Sequence, residues 1–305
     1  MTALSALLAA VTVAFPQEGQ QLPPLGRCYL IGASDGAETS LVVRASAAPA
    51  EISVPVFRSG AWGVLVPVVA GTNVIAVGDA VRTVVVRPKP PTTAAETPSK
   101  TYGKLEYAAD VPRERPKGRS PKDVVIVLDA GHGGEDGGAT SPHGLREKDA
   151  NLRLALDVER ALRAHGLSVV LTRREDVFIP LYDRPKVAHR VKADAFVSLH
   201  YNAPGYSMDP LQARYQAVYA WNPLGEGLAQ AIAGAMESAV PTLASRGVLH
   251  ANFAVTRNPE IPSCLVEADF ITHPDGESSA WSPSARARQA AAIALGIVTW
   301  CELGR

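Results

Sequence analysis

Residues 124–128 form a continuous apolar run, Val-Val-Ile-Val-Leu, which is followed at once by a glycine-rich segment that contains His132. An apolar run rich in β-branched residues is typical of a strand buried on both faces of a parallel sheet. In open α/β sheets ligands bind at the carboxyl ends of the strands, and glycines allow the backbone to turn tightly there. The segment therefore predicts a parallel α/β sheet that carries a ligand-binding loop at its edge.

The chain from residue 122 onwards alternates between strand and helix patterns, which is typical of βα units. We predict a mostly parallel sheet in a three-layer α/β/α sandwich that forms one domain over residues 122–305. Residues 252–257 are predicted to be one of its strands. The predicted helices cover residues 150–165, 181–192, 227–240 and 283–300.

Three polar side chains stand where this fold would bring them together. His132 follows the first strand, Glu147 opens the next helix, and His200 ends the apolar run AFVSLHYN. Two imidazoles and one carboxylate fit a catalytic zinc site, which keeps a fourth position for water, whereas structural zinc sites usually use thiolates. No cysteine lies near these positions in the sequence. The pattern indicates a site for one zinc ion.

A zinc site of this kind needs a general base to hydrolyse amides or esters. Zinc lowers the pKa of its bound water to about 7 and polarises a carbonyl oxygen, and a nearby base then takes the proton of the water. Glu267 is the best candidate, because it lies in the apolar run CLVEADF and would emerge at the same edge of the sheet.

Three regions precede this domain. Residues 25–88 hold short β-branched segments separated by turn residues, which predicts a small all-β domain, an antiparallel sandwich or barrel of Ig-like type. Residues 89–121 are rich in proline and favour an extended linker. Residues 1–24 include an apolar tract with the length of a signal-peptide core, although a buried or frayed N-terminus is the alternative.

Composition excludes some classes of partner. The 30 basic and 30 acidic side chains cancel, so charge gives no indication of a nucleic-acid partner. The N-terminal apolar tract is too short to span a bilayer and no other stretch is long enough, so we expect no stable membrane insertion after processing. Cys28, Cys264 and Cys301 are interpreted as buried free thiols.

Five segments, taken in order, carry a family resemblance. They are DAGHGGEDGGA, REKDANLRLALDVERAL, VVLTRREDVFIPLYDRPKVA, ADAFVSLHYNA and PSCLVEADFI. This ordered set resembles the zinc-dependent N-acetylmuramoyl-L-alanine amidases of the amidase 3 family. The resemblance implies an α/β/α fold, one zinc ion and hydrolysis of the amide that joins the lactyl group of N-acetylmuramic acid to L-alanine in peptidoglycan.

Carried over residue by residue, the resemblance makes His132, Glu147 and His200 the zinc ligands and Glu267 the catalytic glutamate. It implies a peptidoglycan hydrolase in the periplasm or cell envelope, exported by the N-terminal signal. The β-domain would then contact the wall or another protein, or act as a spacer. Two other functions stay open: a non-catalytic peptidoglycan-binding or regulatory protein on the same fold, and a zinc peptidase that cuts within the stem peptide.

Four further residues of these motifs have two interpretations each. Asp129 either orients a ligand or helps the loop to turn. Arg173, Asp176 and Arg184 occupy the T-R-x-x-D and L-x-x-R positions of the family, and we favour an internal network of ion pairs over contact with substrate.

The sequence departs from the family pattern in one segment that bears on the site. EADFITHP replaces the more usual E-x-G-F-I-S-N, which weakens the expectation of substrate contacts near Asp269 and His273. The stretch between His200 and Glu267 is short and leaves little room for the extra helix that blocks the site in some regulated relatives. We therefore expect a site that is open without an activator.

Overall fold

The computed structural model describes residues 10–89, 119–258 and 260–302. It contains a small all-β domain followed by an α/β domain, as the sequence predicts. The predicted linker, residues 89–121, lies for the most part outside the described residues. Within the described part of the chain, no helix combines the length and the apolar character that crossing a bilayer requires.

The N-terminal domain consists of two packed sheets. Its strands are β1 (Val11–Phe15), β2 (Gln21–Leu22), β3 (Arg27–Ser34), β4 (Ser40–Ala45), β5 (Ile52–Pro55), β6 (Ala61–Pro67), β7 (Gly71–Val77) and β8 (Ala80–Val86). One sheet has the order β1-β3-β6 and the other the order β2-β8-β7-β4-β5. Leu30, Val43, Trp62 and Ile75 are buried between them in one apolar core. This arrangement is the predicted small β-sandwich.

This domain begins earlier in the chain than the sequence suggests. We place its start at residue 25, whereas strands β1 and β2 lie within the predicted leader, residues 1–24. Val11 and Val13 of β1 pair with Ser34 and Gly32 of β3, and the Val13 side chain is buried in the core. The apolar tract therefore serves, over residues 11–15, as an edge strand. Residues 1–9 of the predicted leader lie outside the described residues.

The second domain is built on one six-stranded sheet. Its elements are β9 (Val125–Ala130), α1 (Glu147–Ala164), β10 (Ser168–Leu171), α2 (Arg184–Arg190), β11 (Ala195–Asn202), β12 (Gln216–Ala220), α3 (Pro223–Ala239), β13 (Ser245–His250), β14 (Ser263–Phe270), α4 (Pro274–Trp281) and α5 (Pro283–Glu302). The strand order is β10-β9-β11-β14-β12-β13. All neighbours are parallel except β12 and β14, which are antiparallel.

Helices cover both faces of this sheet. Leu154 of α1, Ile232 of α3 and Ile297 of α5 are fully buried in the main core, together with one face of the strands. A smaller core on the other face joins Ala188 of α2 and Phe196 of β11 to residues of the 251–262 segment. The fold is therefore the predicted α/β/α sandwich, and its central strands β9, β11 and β14 are shielded on both sides.

One local prediction in this domain is wrong, and two elements were not predicted. Residues 252–257 form no strand, and residues 254–256 form a turn in which the Thr256 hydroxyl donates to the carbonyl oxygens of Ala251 and Phe253. The edge strand β13 was missed, since its sequence SRGVLH is interrupted by polar residues and by Gly247. Helix α4 was missed because its N-cap is His273, which is not one of the usual capping residues.

The layered core gives a first prediction, on stability. Leu154 is fully buried, whereas Leu295 on α5 is 52% exposed. Replacing Leu154 with Ala leaves a cavity, and we expect it to lower the free energy of unfolding by about 2–5 kcal/mol. Leu295→Ala is the matched control and should change it by less than about 0.5 kcal/mol. Denaturant titration of both variants measures the difference, and equal losses would contradict this assignment of the core.

Candidate metal centre

The three candidate ligands meet at the carboxyl edge of the sheet. One ligand atom from each of His132, Glu147 and His200 lies within 4.8 Å of the other two. Glu147 Oε1 is 3.2 Å from His132 Nε2 and 2.9 Å from His200 Nδ1. The side chains that the sequence nominates are therefore brought together, and this group can bind a metal ion.

Strand pairing explains this convergence. β9 and β11 are parallel neighbours in which Ala130 pairs with Leu199. His132 follows Ala130 by two residues and His200 follows Leu199 directly, so both lie at the same edge of the sheet. The chain then forms a loop and returns, and the Glu147 amide donates to the carbonyl oxygen of Ala139 at 2.9 Å. Glu147 is the first residue of α1, where the N-terminal end of the helix also favours a carboxylate.

Neighbouring polar groups orient the candidate ligands. His132 Nδ1 lies 2.8 Å from Asp136 Oδ2, which leaves Nε2 to face Glu147. The Ala139 amide donates to Glu147 Oε2 at 2.9 Å, and Asn151 Nδ2 contacts Glu147 Oε1 at 3.3 Å. Such outer contacts fix the tautomer and direction of metal ligands. The sequence interpretation missed Asp136 and Asn151, although an acid four residues after a loop histidine was an available signal.

Two glycines make room for these side chains. A Cβ atom on Gly131 would overlap the His200 ring, and one on Gly138 would lie 2.7 Å from Glu147 Oε2 and 2.8 Å from His132 Cδ2. Gly138 also has φ +63°, which disfavours other residues. The loop is therefore shaped around the three candidate ligands.

Glu267 lies on the neighbouring strand, beside this group. It pairs in register with His200 across β11 and β14. Its Oε2 atom is buried and has no hydrogen-bond partner among the described residues. Burial raises the pKa of the Glu267 carboxyl well above its usual value, and the charge of Glu147 adds to the effect. A buried carboxyl without a partner is positioned to exchange a proton with a bound molecule.

These groups open into a cleft of about 510 Å³. His132, His200 and Glu267 lie in its wall, and apolar side chains form much of the remainder. Those apolar side chains are Phe178, Ile179, Leu181, Phe253, Ala254, Val255 and Leu265.

Comparison with known proteins identifies the family. A family model described as N-acetylmuramoyl-L-alanine amidase matches residues 126–299, which is more than half of the chain. This chain belongs to that amidase family. The matched region includes the three candidate ligands, strands β11 and β14, and all of β9 except its first residue.

Individual relatives agree with this assignment. The chain is 35% identical to the N-acetylmuramoyl-L-alanine amidase AmiC of Neisseria meningitidis over 59% of its own length, and 34% identical to AmiA of Escherichia coli over 58%. It spans 53% of the first protein and 75% of the second. The solved amidase AmiC2 of Nostoc punctiforme superposes with a TM-score of 0.54 at 34% identity, over 60% of this chain and 98% of that one.

Glu147 and His132 of the amidase site shift each other's pKa values. Burial raises the pKa of Glu147, but hydrogen bonds and the charges of His132 and His200 outweigh burial and hold that pKa well below its usual value. Burial lowers the pKa of His132, yet Glu147 and Asp136 together raise it to about 9. A metal ligand must be a neutral imidazole, so metal binding at this group releases a proton.

Asp129 and Arg184 form a buried ion pair in the wall of the cleft. Asp129 accepts hydrogen bonds from Arg184 Nη1 at 2.9 Å and from the hydroxyls of Thr172 and Ser198, each at 2.7 Å. Arg184 in turn donates to the carbonyl oxygen of His132 at 2.8 Å. These contacts fix the backbone at His132, which agrees with an internal network for Arg184.

Arg173 and Asp176 hold the same loop from another side. Arg173 donates to the carbonyl oxygens of Gly131 and Lys148, at 2.9 and 2.7 Å. Asp176 accepts from the amide of Gly134 at 2.7 Å and from Lys148 Nζ at 2.6 Å. Both side chains therefore make contacts within the protein, as the preferred sequence interpretation holds.

The residues that depart from the family pattern also make internal contacts. Asp269 is fully buried and pairs with Arg214 through two contacts of 3.1 Å. His273 accepts a hydrogen bond from the Asp275 amide as the N-cap of α4. Neither residue lines the amidase cleft.

The glycine cradle gives a second prediction. In Gly138→Ala the new methyl group would displace Glu147 and His132, and we expect zinc affinity to fall at least about tenfold. Gly144→Ala is the matched control, because Gly144 lies in the same loop with φ +87° but an added Cβ atom there would have nothing within 4 Å. Competition with a chromogenic chelator measures both affinities. Equal losses would assign the effect to backbone strain instead of to the ligands.

Proposed function

We propose that this chain is a zinc-dependent N-acetylmuramoyl-L-alanine amidase. It hydrolyses the amide between the lactyl group of N-acetylmuramic acid and the L-alanine of the peptidoglycan stem peptide. The observation that carries the proposal is the unpartnered carboxyl of Glu267 beside the group of His132, Glu147 and His200. Family membership supports the choice of bond, since the matched relatives are described as N-acetylmuramoyl-L-alanine amidases.

The donor set fits a zinc ion. His132, Glu147 and His200 offer two imidazole nitrogens and one carboxylate oxygen, which is a set typical of catalytic rather than structural zinc. Asp136 and Asn151 supply the outer contacts that orient such ligands. A zinc ion bound there would act as a Lewis acid, lowering the pKa of water and polarising the carbonyl of the substrate amide.

Glu267 is the proposed general base and acid. Its raised pKa and its burial suit a carboxylate that accepts a proton from the attacking water as the new carbon–oxygen bond forms. The protonated carboxyl then gives that proton to the nitrogen as the carbon–nitrogen bond breaks. The products are the free lactyl carboxylate on the glycan and a stem peptide with a free L-alanine amino terminus.

The remaining features of the proposal follow from the substrate. Peptidoglycan lies outside the cytoplasmic membrane, so the proposed amidase works in the periplasm or cell envelope. The apolar side chains Phe178 and Phe253 are 48% and 41% exposed in the wall of the cleft and would exclude water around the bound amide.

Metal removal and one substitution test the proposal. With zinc, purified muropeptide should yield free L-alanine amino termini, and a chelator should stop their release until zinc is restored. Glu267→Gln should lower the rate by roughly 10²–10⁴-fold while zinc stays bound, because it removes the proton carrier and no ligand. Glu226→Gln on α3 is the matched control, since Glu226 pairs with His250 away from the cleft, and should retain full activity.

Two outcomes would point to the alternative functions. Mass spectrometry that finds cleavage inside the stem peptide, with the lactyl amide intact, would identify a zinc peptidase. Zinc and muropeptide binding without any turnover would identify a non-catalytic binding or regulatory protein.

The open cleft gives a further prediction. In the described part of the chain, the only helix between His200 and Glu267 is α3, which packs in the core beside α5 on one face of the sheet. It does not line the cleft. We therefore expect the purified full chain to hydrolyse muropeptide without a second protein. Turnover that begins only after envelope extract is added would contradict this expectation.

A further inference from the structure

A turn of the β-domain lies against the loop that leads to Glu147. This turn joins β5 to β6 and comprises residues 57–60. His143 Nε2 lies within hydrogen-bond distance, at 3.1 Å, of the carbonyl oxygen of Ser59. The Phe57 ring meets the His273 ring edge-on, with 6.0 Å between the ring centroids. The β-domain thus contacts both the loop of Glu147 and the first residue before α4.

A buried carboxylate ties the same loop to α4. Glu277 is 6% exposed and accepts hydrogen bonds from the Ser141 hydroxyl, from the His143 amide at 2.8 Å and from His143 Nδ1 at 2.7 Å. Hydrogen bonds to a buried carboxylate are stronger than those between neutral groups. Glu277 therefore fixes both the backbone and the ring of His143, and it presents Nε2 of that ring to the β-domain.

The loop transmits this restraint to Glu147 over a short distance. The Leu145 amide donates to the Ser141 hydroxyl at 2.8 Å, and the Ser141 amide donates to the carbonyl oxygen of Leu145 at 2.9 Å. Glu147 follows two residues later, with its own amide bonded to Ala139. Residues 139–147 therefore form one closed loop, held at its tip by Glu277 and by the β-domain.

A second contact seats the β-domain on the segment between β11 and β12. The Tyr29 amide of β3 donates to the carbonyl oxygen of Tyr206 at 2.8 Å, and the Tyr206 ring stacks on Phe15 at 5.4 Å. Arg214 anchors the end of this segment to Asp269, two residues after Glu267. The two contacts involve different elements of both domains, so together they restrain how the β-domain lies on the α/β domain.

We propose that the β-domain is a fixed part of the enzyme that holds the Glu147 loop in place. His143 and Glu277 are the positioning residues through which it does so. This inference rests on the proposed function only in taking Glu147 as a zinc ligand. It adds a role to those that the sequence suggests for the β-domain, which are contact with the wall or another protein and service as a spacer.

Hydrogen exchange of the zinc-free full chain tests the coupling. Phe57→Ala, His143→Ala and Glu277→Gln should each raise the exchange rate of amides in residues 139–147 by about tenfold or more, because each loosens the loop. Amides in the core helix α5 should keep their rates, which separates a local effect from global destabilisation. His250→Ala is the matched control, since it breaks a His–Glu pair with Glu226 elsewhere in the domain, and should leave the loop unchanged.

Zinc affinity, measured by chelator competition, tests the positioning role. Glu277→Gln should weaken zinc binding roughly tenfold, in the range typical of outer contacts of metal sites. Loop exchange at the wild-type rate in Phe57→Ala would overturn the role of the β-domain, whatever the rate in His143→Ala, because His143 also contacts Glu277. Unchanged zinc affinity in Glu277→Gln would overturn the positioning role. Neither readout uses amidase turnover, so a failure of the proposed reaction is distinguishable from a failure of this inference.

Discussion

The amidase site depends on one buried carboxylate. Glu147 lies in a protein interior where an isolated charge is costly, and it is tolerated because two imidazoles, a backbone amide and an asparagine surround it. These partners come from the loop after β9, from α1 itself and from β11. Three features of the fold bring these partners to Glu147. They are the strand order, the glycines at 131 and 138, and the arginines that hold the loop.

Much of this arrangement could be predicted from the sequence. An apolar run that ends in a histidine indicates a strand end, and parallel strands place their ends at one edge, so His132 and His200 were expected to meet. Glu147 and Glu267 were supported by the ordered motifs. The structure brings all four together, and the ligand and base roles of these residues stay predictions until metal and turnover are measured.

The contacts that were missed depend on tertiary structure. Glu277 lies in a helix with an unusual cap, and its partners Ser141 and His143 are more than 130 positions away in the chain. Local sequence carries no signal for such a pair. Strand β1 was assigned to a leader for a related reason, because the apolar tract that contains it has the length of a signal-peptide core and carries no local signal for pairing with β3.

The parallel pairing of β9 with β11 has a consequence for how this chain can vary. Side chains alternate between the faces of a strand, so a one-residue deletion within β11 would turn His200 to the opposite face and carry it away from Glu147. The connections can change length without this effect, because they do not set the register. Insertions and deletions should therefore be tolerated in the linker and should abolish activity within the three central strands.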